Sequence, residues 1–210
     1  GFPGALEVML GQLVNLFRDG KPVRMSKRTG EMITFEELID EVGIDATRYY
    51  MLSRSTEQPI DFDIDVAKKQ DSSNPVYYVQ YAHARICKLL RDEAGHSGED
   101  NLDMAAVAAE AIPADVDLSV LTAPEELALM RKMSEFGDLI VLAARDRAPF
   151  RLTHYAQDLA SLYHQFYTNC KILKADDEGL KKARLALCDA VRVVLEQTLG
   201  ILGISAPQRM

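Results

Sequence analysis

The sequence predicts a mainly α-helical protein: a helical bundle preceded by a small mixed α/β region, with the seam near residues 70–75. Two observations carry this. Before the seam, short apolar runs are punctuated by Asp19-Gly20 and by a period-two stretch over residues 58–65. After it, apolar residues recur at steps of three and four almost throughout. The 210 residues are 48% apolar and 27% charged. That balance excludes global disorder, and the length suffices to bury a core without covalent staples.

In the mixed region, residues 13–17 and 23–25 flank Asp19-Gly20, which predicts a strand, a tight turn and a second strand. Residues 21–28 then hold four cations and no acid. Thr34, with Glu37 three residues on, forms a capping box for a helix that closes at Gly43. Asp45 is expected to cap a following helix over residues 46–53. Residues 58–65 contain Pro59 and alternate Ile60, Phe62 and Ile64 with Asp61, Asp63 and Asp65. Period two predicts extended chain with three acids on one face.

Asn74-Pro75 opens the bundle, as N-cap and first helical position. Val76, Val79, His83, Ile86 and Leu90 mark the buried stripe of a helix running to about Asp92 and ending near Gly95. A polar loop over residues 96–101 leads to a poorer helix over residues 103–111 and a linker at Pro113. Thr122 to Glu125 reads as a second capping box. It would open one long helix through Leu127, Met130, Met133, Ile140 and Ala144, stopped by Pro149. Thr153 would cap a helix over residues 155–170, and Asp176-Asp177 would open the last, through Leu199. Four or five helices are expected.

The net charge of −8 argues against non-specific coating of nucleic acid, but it hides a gradient. Residues 92–126 carry ten acids and no Lys or Arg, whereas residues 127–210 carry twelve basic against nine acidic residues. Local basic patches on an acidic body fit a selective binder of polyanions, and the acidic segment reads as a solvated insertion that repels them. Cys87, Cys170 and Cys188 have no paired spacing, which predicts three reduced thiols in a cytoplasmic protein. No apolar run approaches a membrane span. The start at Gly1 without Met suggests a piece of a longer chain.

Chemistry concentrates in two places. A loop bearing Ser26, Lys27 and Arg28 offers a compact ammonium and backbone amides to phosphates, or is simply a solvated basic loop; it lacks the Walker glycine pattern. Tyr77, Tyr81, Arg85 and Lys88 fall at i, i+4, i+8 and i+11, on one helix face away from the buried stripe. Rings beside cations suit unstacked RNA bases and their phosphates, or the tyrosines pack against the mixed region. Tyr155, Leu159, Leu162, Tyr163, Phe166 and Tyr167 form a broader apolar face, expected to be core. His83, His154 and His164 read as core histidines, and with His96 they form no metal-ligand spacing.

Val23-Arg-Met-Ser-Lys-Arg-Thr-Gly30 resembles the K-M-S-K-S signature of class I aminoacyl-tRNA synthetases, in the form found in arginyl-tRNA synthetases. Arg24 stands at the first lysine and Arg28 at the final serine. Ile33-Thr-Phe-Glu-Glu-Leu-Ile-Asp-Glu-Val-Gly43 follows, then Asp45-Ala-Thr-Arg-Tyr49, which is similar to the D-A-L-R stretch of a synthetase anticodon-binding family. Asn74-Pro-Val-Tyr-Tyr-Val-Gln-Tyr-Ala-His-Ala-Arg85 and Leu202-Gly-Ile-Ser-Ala-Pro-Gln-Arg-Met210 resemble that family's opening helix and terminus.

The resemblance implies that residues 1–72 are the end of a class I catalytic domain with its connector, and residues 73–210 a helical anticodon-binding domain. It further implies a parent that joins arginine to tRNA-Arg with ATP and Mg2+. Lys27 and Ser26 would be catalytic, Arg24, Met25, Ser26 and Lys27 would bind ATP, and Tyr77, Tyr81, Arg85 and Lys88 would bind tRNA. No H-I-G-H-type motif is present, so the fragment alone is expected to be inactive. No resident metal or prosthetic group, no membrane and no particular oligomer is implied. The rivals are another class I synthetase, such as a cysteinyl enzyme, and a helical interaction module without RNA.

Overall fold

The computed structural model describes residues 4, 8–23, 33–175 and 177–210. Arg24, Met25, Ser26, Lys27 and Arg28, and the Asp176 part of the last cap, lie outside the described residues. The order is β1 (Val14–Arg18), β2 (Lys21–Pro22), α1 (Phe35–Val42), α2 (Ile44–Met51), β3 (Ile60–Asp63), α3 (Ile64–Ala67), α4 (Pro75–Ala94), α5 (Met104–Ala111), a 3-10 turn (Leu118–Val120), α6 (Pro124–Ser134), α7 (Phe136–Asp146), α8 (Phe150–Asn169) and α9 (Glu178–Leu202). The chain is mainly α, a helical bundle behind a three-stranded sheet of order β2-β1-β3.

The turn falls at Asp19-Gly20 as expected, and the return strand begins two residues earlier than expected, at Lys21. Asp19 and Gly20 both have positive φ, 52° and 67°, the pair a two-residue type I′ turn requires. Such a turn forces pairing to begin at once, so Arg18 faces Lys21 and Phe17 faces Pro22. β3 runs parallel to β1, with Leu16 beside Phe62, both buried. The alternation of residues 58–65 stops at Asp63, whose carboxylate accepts from the Asp65 and Val66 amides and starts α3.

Several helix starts move for similar local reasons. Thr34 and Glu37 form the expected box on α1. Asp45 does not cap α2, because Gly43, at φ 86°, already holds the N-cap position. Asn74 precedes Pro75 as expected, but its side chain makes no cap: the amide donates to the Ala67 and Lys69 carbonyls at 2.9 Å each. The box expected at Thr122 does not form: Pro124 takes the first helical position, so Ala123, which has no side-chain acceptor, is the N-cap and only the Glu126 half remains. There the Ala123 amide donates to Glu126 at 2.8 Å. Thr153 is interior to α8, its hydroxyl donating to the Phe150 carbonyl at 2.8 Å. Asp177 caps α9 through the Leu180 amide at 2.8 Å.

The long helix expected after Pro124 is two helices, α6 and α7. Ser134 turns its hydroxyl back onto the Arg131 carbonyl at 2.7 Å, a bond that competes with helix propagation. Gly137 follows, and the break turns Phe136 onto Tyr155, with ring centres 5.6 Å apart. On α6, Leu129 is buried and Leu127 is exposed. Six α-helices therefore follow the seam among the described residues.

The acidic segment is not a solvated insertion. In α5, Met104, Val107, Ala108 and Ala111 are buried against α4, while its neighbour acids Asp103 and Glu110 face outward. Glu126 is buried against Arg184 and Glu93 is largely covered by Lys181 and Lys182, so the segment belongs to the core even where its other acids are solvated. Around this layer, α4 packs on α5, α8 and α9. Val76, Val79, His83, Ile86 and Leu90 are all buried, as their spacing predicted. Cys87, Cys170 and Cys188 are free and buried.

Candidate nucleic-acid interface

The α4 face expected from spacing meets α8 through Tyr81 and Arg85, while Tyr77 lines a groove with residues 39–46 and 67–70 of the mixed region. Tyr77 and Tyr81 stack one turn apart, with ring centres 6.1 Å apart and planes at 10°. Tyr81, 38% exposed, also stacks on His164 of α8 at 6.0 Å. Arg85 sets its guanidinium carbon 3.8 Å from the centre of the Tyr167 ring and 5.8 Å from that of Tyr81. Lys88 is exposed and paired with Asp92 one turn on. An arginine plane, three tyrosines and an imidazole thus line one seam, with Lys88 at its end.

His164 is half-buried, and its Nε2 is buried with no hydrogen-bond partner. Burial pushes its pKa below the ordinary value, and the Arg85 charge adds to that, so the ring is neutral near neutral pH. His83, by contrast, is the satisfied core histidine the stripe implied: buried, with Nδ1 2.9 Å from the Pro207 carbonyl. His154 is exposed rather than core, its ring edge-on to Phe150 at 5.8 Å. On α8, Tyr155, Leu159, Tyr163 and Phe166 are buried, while Leu162 and Tyr167 are half-buried.

The chain's last residues complete the site. The Gln80 amide donates to Asp45 at 2.8 Å and to the Ser205 carbonyl at 3.0 Å. The Ser205 amide donates to Asp45 at 3.1 Å. Farther along, both terminal nitrogens of Arg91 donate to the Gln208 carbonyl, at 3.2 and 3.1 Å, and Arg209 pairs with Asp100. Residues 204–210 are therefore a strap laid along α4. With Tyr81, Arg85, Lys88 and Tyr167, the strap's Gln208, Arg209 and Met210 line a groove of about 600 Å³.

Two members were missed by sequence reasoning. His164 and Tyr167 sit three residues apart inside a run of apolar and aromatic residues, so helical spacing alone assigns them to the core face. The strap has no periodicity that would assign it at all.

Residues 79–210 match the family model described as the DALR anticodon binding domain. The chain belongs to that family. The Asp45–Tyr49 stretch lies before the matched residues. The chain is similar to the arginine–tRNA ligase of Heliobacterium modesticaldum, 49% identical over 210 residues, covering 99% of this chain and 36% of that protein. It thus spans about a third of the length of the curated relatives it matches. Among solved structures, it is similar to a Campylobacter jejuni protein described as an arginyl-tRNA synthetase, with a TM-score of 0.78 and 29% identity, covering 97% of this chain and 41% of that one. The arginyl-tRNA synthetase of Thermus thermophilus follows at TM-score 0.67 and 26% identity, covering 95% and 35%. Nearly the whole chain, mixed region included, aligns with synthetases of one amino-acid specificity.

Proposed function

We propose that this chain is part of an arginine–tRNA ligase, and that its bundle binds the anticodon arm of tRNA-Arg along the α4–α8 seam. The observation that supports this best is the seam itself, where Tyr77, Tyr81 and His164 form successive stacking surfaces and Arg85 lies in the same row. Every base has a π-face, so such a row accepts splayed single-stranded bases, while Arg85 and Lys88 meet phosphates. Lys88 must exchange Asp92 for phosphate, a small loss for an exposed pair one helical turn apart.

The parent reaction is ATP-dependent joining of arginine to tRNA-Arg, in the cytoplasm. Lys27 with Ser26, and Arg24 and Met25 beside them, steady the triphosphate as charge builds on the leaving pyrophosphate. Mg2+ would accompany the nucleotide as the counter-ion of its phosphates. Residues 1–72 belong to the catalytic side and residues 73–210 to the anticodon side. No helix among the described residues is long and apolar enough to cross a membrane.

The test is tRNA affinity across a salt series, with cognate and anticodon-swapped tRNA-Arg. Cognate binding that weakens on swapping the anticodon is expected. Equal affinity for both, or none for either, removes the reading. For Lys27, the full-length parent carrying Lys27→Ala should charge tRNA far more slowly with unchanged tRNA affinity.

A further inference from the structure

A second polar cleft, of about 310 Å³, opens where the mixed region meets α8, between Arg54, Tyr50 and Asp61 on one side and His154 and Gln157 on the other. The Tyr49 and Ser53 hydroxyls of its lining already donate, to the Thr153 and Tyr50 carbonyls, but Arg54 and Tyr50 offer unspent donors. Arg54 is exposed and has no ion-pair or hydrogen-bond partner among the described residues. The Tyr50 hydroxyl is buried with no partner, and a phenol in that state is costly unless something accepts from it. His154 is exposed. Asp61 is the one carboxylate of the wall, and one of its oxygens already accepts from the Asn15 amide at 2.9 Å.

The cleft lies on the line of the aromatic seam. His154, Gln157 and His164 stand at i, i+3 and i+10, on one face of α8. At 1.5 Å per residue, His154 is about 15 Å from His164 along the helix. On α4, Pro75 borders the cleft, Tyr78 meets His164 at 4.7 Å and Arg85 meets Tyr167. The two helices therefore run side by side in the same direction, with the cleft at one end of their shared seam and the Arg85 groove at the other.

We propose that Arg54, with His154, Gln157 and the Tyr50 hydroxyl, forms a phosphate subsite that holds the backbone of the same RNA strand whose bases stack on Tyr77 and Tyr81. This rests on the RNA reading above and extends it across the seam onto the mixed region. A strand leaving the tyrosines toward the α4 N-terminus reaches the cleft within a few nucleotides. A guanidinium free of carboxylates, an amide and an imidazole supply the directional donors a phosphodiester accepts. Asp61 disfavours a compact free anion and can accept from a ribose hydroxyl.

The test measures binding of an anticodon stem–loop RNA hairpin by the chain, as wild type and as Arg54→Ala, Arg54→Lys and Tyr81→Ala, across a salt series. One lost phosphate contact on single-stranded RNA lowers the log–log salt slope by about 0.7, which is about fivefold in affinity at 0.1 M salt. Arg54→Ala should show both, with an unchanged thermal midpoint, and Arg54→Lys should restore the slope. Wild-type chain that does not bind the hairpin overturns the RNA reading and this subsite with it. If Tyr81→Ala loses binding while Arg54→Ala keeps wild-type affinity and slope, the RNA reading stands and the subsite falls. Inorganic phosphate is the second probe, followed by the His154 ring resonances. If it shifts them in wild type but not in Arg54→Ala, and RNA affinity is unaffected, the cleft takes free phosphate and the RNA assignment is overturned.

Discussion

Arg85 lies flat enough on Tyr167 to bring its guanidinium carbon 3.8 Å from the ring centre, joining α4 to α8 beside the exposed Tyr81. A partly desolvated cation–π contact contributes about 0.5–2 kcal/mol, and the geometry depends on a planar cation. Arg85→Lys keeps the charge and loses the plane. It should lower the thermal stability by about that amount and leave the salt slope of tRNA binding unchanged, whereas Arg85→Ala should also flatten the slope by about 0.7. Identical salt series for the two variants would reduce Arg85 to a packing residue.

Tyr81 and Tyr163 should separate binding from folding. Tyr81 is 38% exposed and Tyr163 is fully buried. Tyr81→Ala should cost about 1–3 kcal/mol of tRNA affinity while melting near wild type. Tyr163→Ala should cost several kcal/mol of stability, about what other large core truncations cost. Early melting of Tyr81→Ala, read by circular dichroism, would return the exposed ring to ordinary packing.

The strap depends on Gly203. Its φ is +68°, and a Cβ there would meet the Arg48 guanidinium at 3.0–3.3 Å. Arg48 is exposed and can give way by a few tenths of an ångström, so Gly203→Ala should destabilise by roughly the 1–2 kcal/mol of the left-handed conformation alone. Asp45→Ala removes the acceptor shared by Ser205 and Gln80, and should speed hydrogen exchange at residues 204–208 more than in α9. Uniform acceleration over both would mean the strap opens only with the whole fold.

The buried histidines set a pH response. Burial pushes His83 below its ordinary 6.5, against the opposing Pro207 hydrogen bond, so the unfolded chain binds the proton first. The stabilisation from the neutral ring is complete above about pH 6.5 and is lost as pH falls through the folded value. His164 acts in the same direction. His96 acts in the opposite one: hydrogen bonds to Glu110 and then Glu99 raise its pKa, so its contribution is complete below pH 6.5 and is lost as pH rises through the folded value. His83→Gln should flatten the fall in thermal midpoint between about pH 7 and 5. An unaltered profile would place the loss elsewhere.

Local chemistry was legible where a short segment decides its own conformation. The Thr34–Glu37 box, the αL stop at Gly95 and the α4 stripe stand as their residue types dictate. Thr122, Thr153 and Asp45 are good caps in isolation and cap nothing, because proline or glycine neighbours or tertiary partners claimed the helix starts. Half of the candidate site was legible in the same way: Tyr77, Tyr81, Arg85 and Lys88 share a helix face by spacing alone.

By itself, the sequence determined that the protein is a helical bundle behind a small mixed region, and which face of α4 carries rings and cations. Periodicity and capping act within one or two turns of chain, so they can be read without knowing the partner. Only the tertiary structure decided what that face meets. Tyr167 and His164 lie some eighty residues from their α4 partners, and Ser205 lies 160 residues from Asp45. A cation over a ring, or a carboxylate shared between a helix and a tail, is a pairing of distant surfaces. Its energy depends on distance and desolvation after folding, which spacing along one element does not encode.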